Sequence, residues 1–346
     1  MIELRHGINL GGYLSQCDHT YEHYDTFIGR EDITNIRKMG FDHVRLPVDC
    51  NVIEHEDGTP HVQGLSYIDK TLDWCKEEGL NVIIDLHKAY GYDFNAAGSG
   101  DGDSDLPGNT LFDIKELQDR FVALWEKIAA RYGAYDFVAF ELLNEVVEQE
   151  NAGKWNELIR RACEAIRKHA KTNTIIYGGI CWNSISSIKL LEKPIDDNIL
   201  FTFHFYEPLI FTHQKAHWVK AMDPNEEVLY PADIPYYIEK SEKLGFQGSG
   251  IMDTKSEVMG VEFLEEMISE GIKAAEDLGV KLYCGEFGVI DKAPAMDTLN
   301  WFQDVLDMFE RRNISWCIWC YKGMDFSFIS APNITPVRDE ILRYIS

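Results

Sequence analysis

Short apolar runs alternate with helical patterns along the whole chain. Near-continuous apolarity, together with many β-branched residues, is typical of strands that are covered on both faces, as in a parallel sheet. The pattern therefore predicts β-strands that alternate with helices. The eight predicted strands are 7–10, 43–48, 81–86, 137–143, 174–178, 199–205, 281–284 and 314–319.

The segments between these runs repeat apolar residues every three or four positions, which is the period of an amphipathic helix. One such stripe runs over 65–75 and is followed by Gly79, the residue type that most often ends a helix. A longer stripe covers 114–132. Thr335 and Pro336 are expected to be the N-cap and the first residue of the last helix.

Eight strand-helix units predict a single catalytic (β/α)₈ barrel over residues 1–346. A doubly wound sheet fits less well, because Gly11 and Gly12 after the first strand lack the complete Gly-rich phosphate-binding fingerprint. Two connections are unusually long, 88–110 and 207–259. The second lies between strand 6 and its helix, and we expect it to form a small cap subdomain within the barrel.

Composition excludes several classes of partner. The chain has 33 basic and 58 acidic side chains, and a net charge of -25 disfavours nucleic acid and an anionic membrane surface. No apolar run approaches the roughly 18 residues of a membrane span. We expect a monomer with neither partner. The first residues show no signal-peptide pattern, which leaves the location open between the cytoplasm and secretion after removal of a signal.

Two motifs could suggest a metal or redox site. Cys317 and Cys320 have CxxC spacing, but in a strand they would point to opposite faces, and no second CxxC pair occurs. The eight cysteines are scattered, as expected of free thiols. Acidic residues alternate over 101–105 but lack the distal Glu of a calcium loop. We therefore expect no metal and no cofactor.

Polar side chains stand where the predicted strands end, which is where active sites of such barrels lie. Glu145 ends the run that starts at Glu141, and Glu286 ends another. A buried carboxylate without a partner costs several kcal/mol, so two of them indicate a paired-carboxylate enzyme. The other strand-end residues are Arg45, Asp85, His87, Asn144, Trp182, Asn183, His204, Tyr206 and Trp319.

This combination suits the hydrolysis of a neutral sugar chain. A glycosidase needs one protonated carboxyl to assist the leaving oxygen and one ionised carboxylate at the anomeric carbon. Arg45 and Tyr206 are available to hold one carboxylate charged. Tryptophan rings offer flat apolar surfaces on which sugars stack.

The order and spacing of these residues resemble glycoside hydrolase family 5, and within it clostridial endoglucanases of about this length. The match covers nearly the whole chain and includes the sixth-strand insertion with its His217-Trp218 pair. The motifs are 7–12, His43-Val-Arg-Leu-Pro47, Asp85-Leu-His87, Asn144-Glu145, His204-Phe-Tyr206, Gly285-Glu286-Phe-Gly288 and Trp319.

The resemblance implies a retaining β-1,4-glucanase that acts by double displacement on cellulose-like or mixed-linkage β-glucan. Glu145 would be the general acid and base and Glu286 the nucleophile, with the two carboxyls roughly 5 to 5.5 Å apart. Asn144 would bind the sugar 2-hydroxyl, and Arg45 and Tyr206 would orient Glu286. His87 and His204 would line the cleavage subsite, Trp319 would form its floor, and Trp182 and Trp218 are candidates for further stacking.

The chain departs from this pattern in the third loop, where Lys88 and Tyr90 replace the His and Pro of related sequences. A β-mannanase, a xyloglucanase or an exo-β-1,3-glucanase therefore remains an alternative, since the same barrel serves all three. A non-catalytic carbohydrate-binding barrel is a more distant alternative, because both acids are present. An aldolase barrel would need a buried strand-end Lys, and Lys322 lies on a loop.

Overall fold

Eight parallel strands close into a barrel in the computed structural model, which describes residues 2–98 and 109–345. Each strand pairs with the next along the chain, and β8 returns to β1. The predicted barrel is confirmed. The strands are β1 (His6–Asn9), β2 (His43–Asp49), β3 (Asn81–Lys88), β4 (Val138–Glu141), β5 (Ile175–Gly178), β6 (Ile199–Phe205), β7 (Lys281–Phe287) and β8 (Ser315–Ile318).

Helices surround the barrel, and short 3₁₀ turns cover Gln149–Asn151, Ile185–Leu190 and Glu242–Ile251. The α-helices are α1 (Tyr21–Thr26), α2 (Arg30–Lys38), α3 (Cys50–Ile53), α4 (Val62–Glu78), α5 (Phe94–Gly98), α6 (Lys115–Tyr132), α7 (Ala152–Arg167), α8 (Leu209–Thr212), α9 (Ile234–Ser241), α10 (Val261–Leu278), α11 (Ala295–Arg312) and α12 (Arg338–Leu342).

Two predicted helix ends had different outcomes. Gly79 ends α4 in the left-handed conformation, with φ of 71°, as its residue type predicts. The prediction that Thr335 and Pro336 begin the last helix was wrong, because α12 begins at Arg338. Thr335 instead donates from both its backbone N–H and its hydroxyl to the carbonyl of Ala331, so its side chain closes the preceding turn.

The barrel core explains most tryptophans and cysteines. Trp125, Trp155 and Trp301 are fully buried between helices and strands. Cys317 lies inside the barrel, whereas Cys320 packs in a separate cluster beside Trp319, so the CxxC pair points to two sides as predicted. All eight cysteines are free.

The segment 207–259 between β6 and α10 contains α8, α9 and a 3₁₀ turn. It packs against α11, where the Tyr230 hydroxyl donates to Asp304 Oδ2 over 2.7 Å and the Tyr230 N–H donates to Asp297. The Trp301 indole N–H also donates to the carbonyl of Glu207. Among the helices of 2–98 and 109–345, none is long and apolar enough to cross a bilayer.

Candidate active site

The strand-end side chains converge at the carboxyl-terminal rim of the barrel. The sheet register places Asn9 beside Arg45, and His204 beside Glu286. Register shifts occur at the ends of three strand pairs, including the step from Phe203 to His204. Such bulges re-aim side chains next to active sites. They turn residues of distant sequence position toward one centre.

Arg45 is the hub of this centre and is fully buried. Its Nε lies 2.8 Å from Glu141 Oε2, and its Nη2 lies 2.9 Å from Glu141 Oε1. Nη2 also lies 3.1 Å from Asp85 Oδ2. A planar guanidinium that binds a carboxylate through two parallel bonds is held in one orientation. Glu141 therefore fixes the direction in which Arg45 presents its remaining N–H groups.

Those remaining donors face the rim. Nη1 donates to Asn9 Oδ1 over 2.9 Å and to Glu286 Oε1 over 2.8 Å, while Nη2 donates to Asn144 Oδ1 over 2.8 Å. The Tyr206 hydroxyl donates to the other Glu286 oxygen over 3.1 Å. Both oxygens of Glu286 thus accept hydrogen bonds, one of them from a cation, and such contacts favour the ionised form.

Glu145 has a different neighbour. Its Oε1 lies 2.6 Å from His204 Nδ1, and the same nitrogen lies 3.6 Å from Glu286 Oε2. One ring nitrogen of His204 and one carboxylate oxygen from each of Glu145 and Glu286 all lie within 4.8 Å of one another. Retaining glycosidases hold their two carboxyls about 5 to 5.5 Å apart, whereas inverting ones separate them by about 6.5 Å or more. The spacing of these atoms therefore matches the retaining arrangement more closely than the inverting one.

Burial dominates the acid-base properties of the centre. It raises the pKa of Glu145 to about 7, against the opposing effect of Arg45. It also raises the pKa of Glu286 to about 7, although His204 and Arg45 oppose it. Burial lowers the pKa of His204 to about 4, so this ring is neutral near pH 7. Arg45 donates a hydrogen bond directly to Glu286, whereas Glu145 meets the neutral His204 ring, so the two carboxyls have unequal environments.

His87 and Trp319 form a stacked pair at the rim. Their rings are parallel to within 1° with centroids 5.7 Å apart. His87 Nδ1 lies 2.7 Å from Asp85 Oδ2, which ties the pair to the Arg45 hub. A Cβ on Gly11 would lie 2.9 Å from the Trp319 ring, so only glycine leaves room for the indole. Burial, aided by Arg45, lowers the pKa of His87 well below its usual range.

Trp218 and Trp182 make no side-chain hydrogen bond to the other predicted site residues in the described part of the chain, and the stacked pair of His87 and Trp319 does not include them. Trp218 is 45% exposed and meets the His213 ring edge-on, and His213 in turn meets the Tyr206 ring edge-on at 4.9 Å. Trp182 lies at the turn after β5, where its backbone N–H donates to the carbonyl of Val146.

Two residues that bind Arg45 were given no role from the sequence, Glu141 and Asn9. Glu141 is a fully buried acid at the end of an apolar strand, four residues before Glu145. Residues four apart in an extended segment face the same way, so this spacing was an available signal. Asn9 donates from Nδ2 to the carbonyls of Gly285 in β7 and Ile318 in β8, which braces the end of the strand that carries Glu286.

One group of side chains has the spacing of metal ligands. Over residues 2–98 and 109–345, the group of His, Cys, Asp or Glu side chains close enough to share an ion is Glu145, His204 and Glu286. These are the same groups that would do acid-base chemistry, and each already has a hydrogen-bond partner. The alternating acids at 101–105 lie outside the described residues.

The chain is similar to known proteins over nearly its whole length. The model of the cellulase family, glycosyl hydrolase family 5, matches residues 6–325. The chain is 39% identical to Endoglucanase C of Acetivibrio thermocellus, covering 100% of this chain and 99% of the relative. It is also 39% identical to Cellodextrinase A of Ruminococcus flavefaciens, over 96% of this chain and 90% of the relative. Among solved structures, Thermotoga maritima Cel5A in complex with mannotriose superposes with a TM-score of 0.73 at 25% identity, over 99% and 97% of the two chains.

Proposed function

Since the chain belongs to glycosyl hydrolase family 5, we propose that it is an endo-β-1,4-glucanase. It would cleave cellulose-like or mixed-linkage β-glucan with retention of configuration. The observation that carries the proposal is the close pair of Glu145 and Glu286, whose facing atoms lie within 4.8 Å. The full-length similarity to an endoglucanase supports the substrate class.

The first step forms a glycosyl-enzyme. Glu286 attacks the anomeric carbon through a carboxylate oxygen, while Glu145 donates its proton to the departing glycosidic oxygen. The C–O bond to the leaving sugar breaks, and a C–O bond to Glu286 forms. In the second step Glu145 removes a proton from water, which attacks the same carbon and releases Glu286 as a carboxylate.

The unequal environments of the two carboxyls support this division of roles. Glu286 accepts hydrogen bonds from Arg45 and Tyr206, which favour an anion able to attack. Glu145 is buried without a direct cation, and burial favours its protonated form. Asn144, whose Oδ1 is held by Arg45, would present its amide N–H₂ to the sugar 2-hydroxyl.

The flat surface of Trp319, backed by His87, would carry the sugar ring at the cleavage subsite. Trp218 and Trp182 would extend the stacking surface outside the carboxyl pair. The segment 207–259 would act as a cap at one end of the groove within a single domain. We also propose that the enzyme works as a monomer. Because its net charge disfavours polyanions, we propose no nucleic-acid or membrane partner.

A second candidate activity is on β-mannan. The structure of Thermotoga maritima Cel5A with mannotriose shows that a similar barrel accommodates a mannan oligosaccharide. Glucan and mannan differ at the 2-hydroxyl, which Asn144 would contact. Xyloglucan and β-1,3-glucan remain alternatives for the same barrel, and the similarity to a cellodextrinase raises the alternative of short soluble oligosaccharides.

The test is a substrate panel of carboxymethylcellulose, barley β-glucan, glucomannan, xyloglucan, laminarin and cello-oligosaccharides. We expect highest activity on barley β-glucan and carboxymethylcellulose, a fast fall in viscosity from internal cleavage, and a β-configured first product by NMR. Glu286→Gln should lose about 10⁴-fold or more, because the nucleophile is gone.

Glu3→Gln is the matched control, since Glu3 is an exposed carboxylate that precedes β1 at the amino-terminal end of the barrel, opposite the rim that carries the site. It should retain full activity. Inactivity of the wild type on the whole panel, or full activity of Glu286→Gln, would sink the proposal. Highest activity on glucomannan would instead favour the mannanase.

A further inference from the structure

The turn after β5 holds three consecutive non-glycine residues in the left-handed region. The φ angles are 53° for Cys181, 56° for Trp182 and 52° for Asn183. Non-glycine residues rarely adopt this conformation in succession, because each has a conformational cost that its surroundings must offset. Strain of this kind concentrates at functional sites. Here it inserts the side chain of Asn183, which is buried, between Asn144 and His204.

The contacts of Asn183 determine which way its amide points. Its Nδ2 donates to the carbonyl of Asn144, and a carbonyl oxygen can only accept, so the NH₂ group must face Asn144. The Oδ1 atom then faces β5 at Gly178, where a Cβ would come within 2.2 Å of it. Glycine at 178 is therefore what leaves space for the amide.

The second N–H of this amide is directed at the imidazole of His204. Asn183 Nδ2 lies 3.5 Å from His204 Nε2, and the His204 backbone N–H donates to the Asn183 carbonyl over 2.9 Å. A donor that faces Nε2 requires a lone pair there. In a neutral ring the proton then sits on Nδ1, which is 2.6 Å from Glu145 Oε1 and 3.6 Å from Glu286 Oε2. Both are acceptors, so both sides of the ring favour the same tautomer.

We propose that Asn183 is a positioning residue that holds His204 in its Nδ1–H tautomer and thereby keeps the acid proton of Glu145 on Oε2, free for the glycosidic oxygen. The proposal rests on the proposed function for its kinetic consequence. Glu145 Oε1 accepts from Nδ1–H and is thus occupied. In the opposite tautomer, Nδ1 would carry a lone pair and would bind the carboxylic O–H itself, which would withhold that proton from the leaving group.

The tautomer can be read directly by NMR of the ¹⁵N-histidine-labelled protein, with His204→Gln used to assign its signals. We expect a protonated Nδ1 and an unprotonated Nε2 in the wild type. Asn183→Asp replaces the donor by an acceptor and tolerates the left-handed conformation, so we expect it to move the proton to Nε2. A wild-type ring protonated at Nε2, or an unchanged ring in Asn183→Asp, would overturn the proposal. This measurement needs no substrate.

Kinetics separate a proton-transfer defect from general damage. 2,4-Dinitrophenyl cellobioside has a leaving group that needs no proton, whereas cellotetraose needs one. We expect Asn183→Asp to lose about tenfold or more on cellotetraose, a part of the roughly 10²- to 10⁴-fold that general acid catalysis contributes. The first-step rate on the dinitrophenyl substrate should change less than threefold.

Asn183→Gly is the matched variant, because glycine keeps the left-handed backbone and removes the amide. It leaves both tautomers accessible, so its loss on cellotetraose should be smaller than that of Asn183→Asp. Equal losses on both substrates in both variants would assign Asn183 a merely structural role and overturn the proposal. Absence of glycosidase activity in the wild type would instead refute the proposed function, while the NMR result would still decide the tautomer.

Discussion

Arg45 and Glu141 form an ion pair with two parallel hydrogen bonds, 2.8 and 2.9 Å long, in which both side chains are fully buried. The pair lies directly beneath the carboxyls of the candidate site. Because Arg45 also donates to Glu286 and Asn144, the orientation that Glu141 imposes is transmitted to both. The position of Glu286 therefore depends on a residue on another strand that need not touch substrate.

Removing Glu141 should destabilise the protein. Glu141→Ala leaves a buried guanidinium partly unpaired, and breaking a buried pair in this way costs about 3 to 5 kcal/mol. Because Asp85 and Glu286 still contact Arg45, we expect the lower end, about 3 kcal/mol, in urea unfolding. Glu270→Ala breaks an exposed pair with Lys189 and should cost at most about 1 kcal/mol. An equal free energy of unfolding for the two variants would contradict the role of Glu141 as the partner that holds Arg45.

Stability should fall as the pH rises from about 6.5 to about 7.5. Burial raises the pKa of Glu145, Glu286, Asp85 and Glu207 to about 7, above the ordinary value for a carboxyl. Between the two values these carboxyls bind more protons in the folded state than in the unfolded state, which lowers the free energy of unfolding as the pH rises. Below about pH 6.5 the buried His204 and His213, whose pKa values are lowered to about 4 and about 3, act in the opposite direction, so the net fall is expected between about pH 6.5 and 7.5. Thermal unfolding followed across this range should show a decreasing Tm.

The contribution of the catalytic pair to this slope can be isolated. The double variant Glu145→Gln/Glu286→Gln should be more stable than the wild type at pH 7.5 and show a flatter dependence, because two buried ionising groups are gone. Glu3→Gln, which changes an exposed carboxyl, should keep the wild-type slope. A double variant with an unchanged slope would show that these groups ionise normally.

Trp218 should contribute to binding of long substrates and little to folding. Its side chain is 45% exposed and lies beside His213, near Tyr206. Loss of one sugar-stacking surface is worth about 0.5 to 1.5 kcal/mol, so Trp218→Ala should raise KM for cellopentaose roughly 3- to 10-fold. Trp218→Phe should recover part of the affinity. An unchanged KM for both would remove Trp218 from the binding surface.

Metal removal should leave activity intact. The proposed chemistry uses two carboxyls and no Lewis acid. Exhaustive EDTA treatment followed by gel filtration should therefore preserve the rate on barley β-glucan, and added Ca²⁺ should not raise it. A loss that Ca²⁺ restores would overturn this expectation and would direct attention to the acids at 101–105.

The amino-acid sequence by itself determined the architecture and the two acids. Local hydrophobic runs are sufficient to predict strands, and eight repeats of strand and helix leave few folds to consider. The carboxyl ends of all strands in such a barrel lie at one rim, so Glu145 and Glu286, which follow predicted strands, are identified from the sequence as neighbours in the site. The same local reasoning misplaced the start of α12, because the Thr335 hydroxyl bonds backward to Ala331.

Only the tertiary structure decided which neighbour each polar group has. Arg45 meets Glu141 across 96 positions and Glu286 across 241, and no local pattern specifies such a pair. The amide of Asn183 reached His204 only because a strained turn and Gly178 made room for it. Sequence periodicity reports on burial and backbone, whereas the protonation and orientation of a catalytic group depend on the few atoms around it in three dimensions.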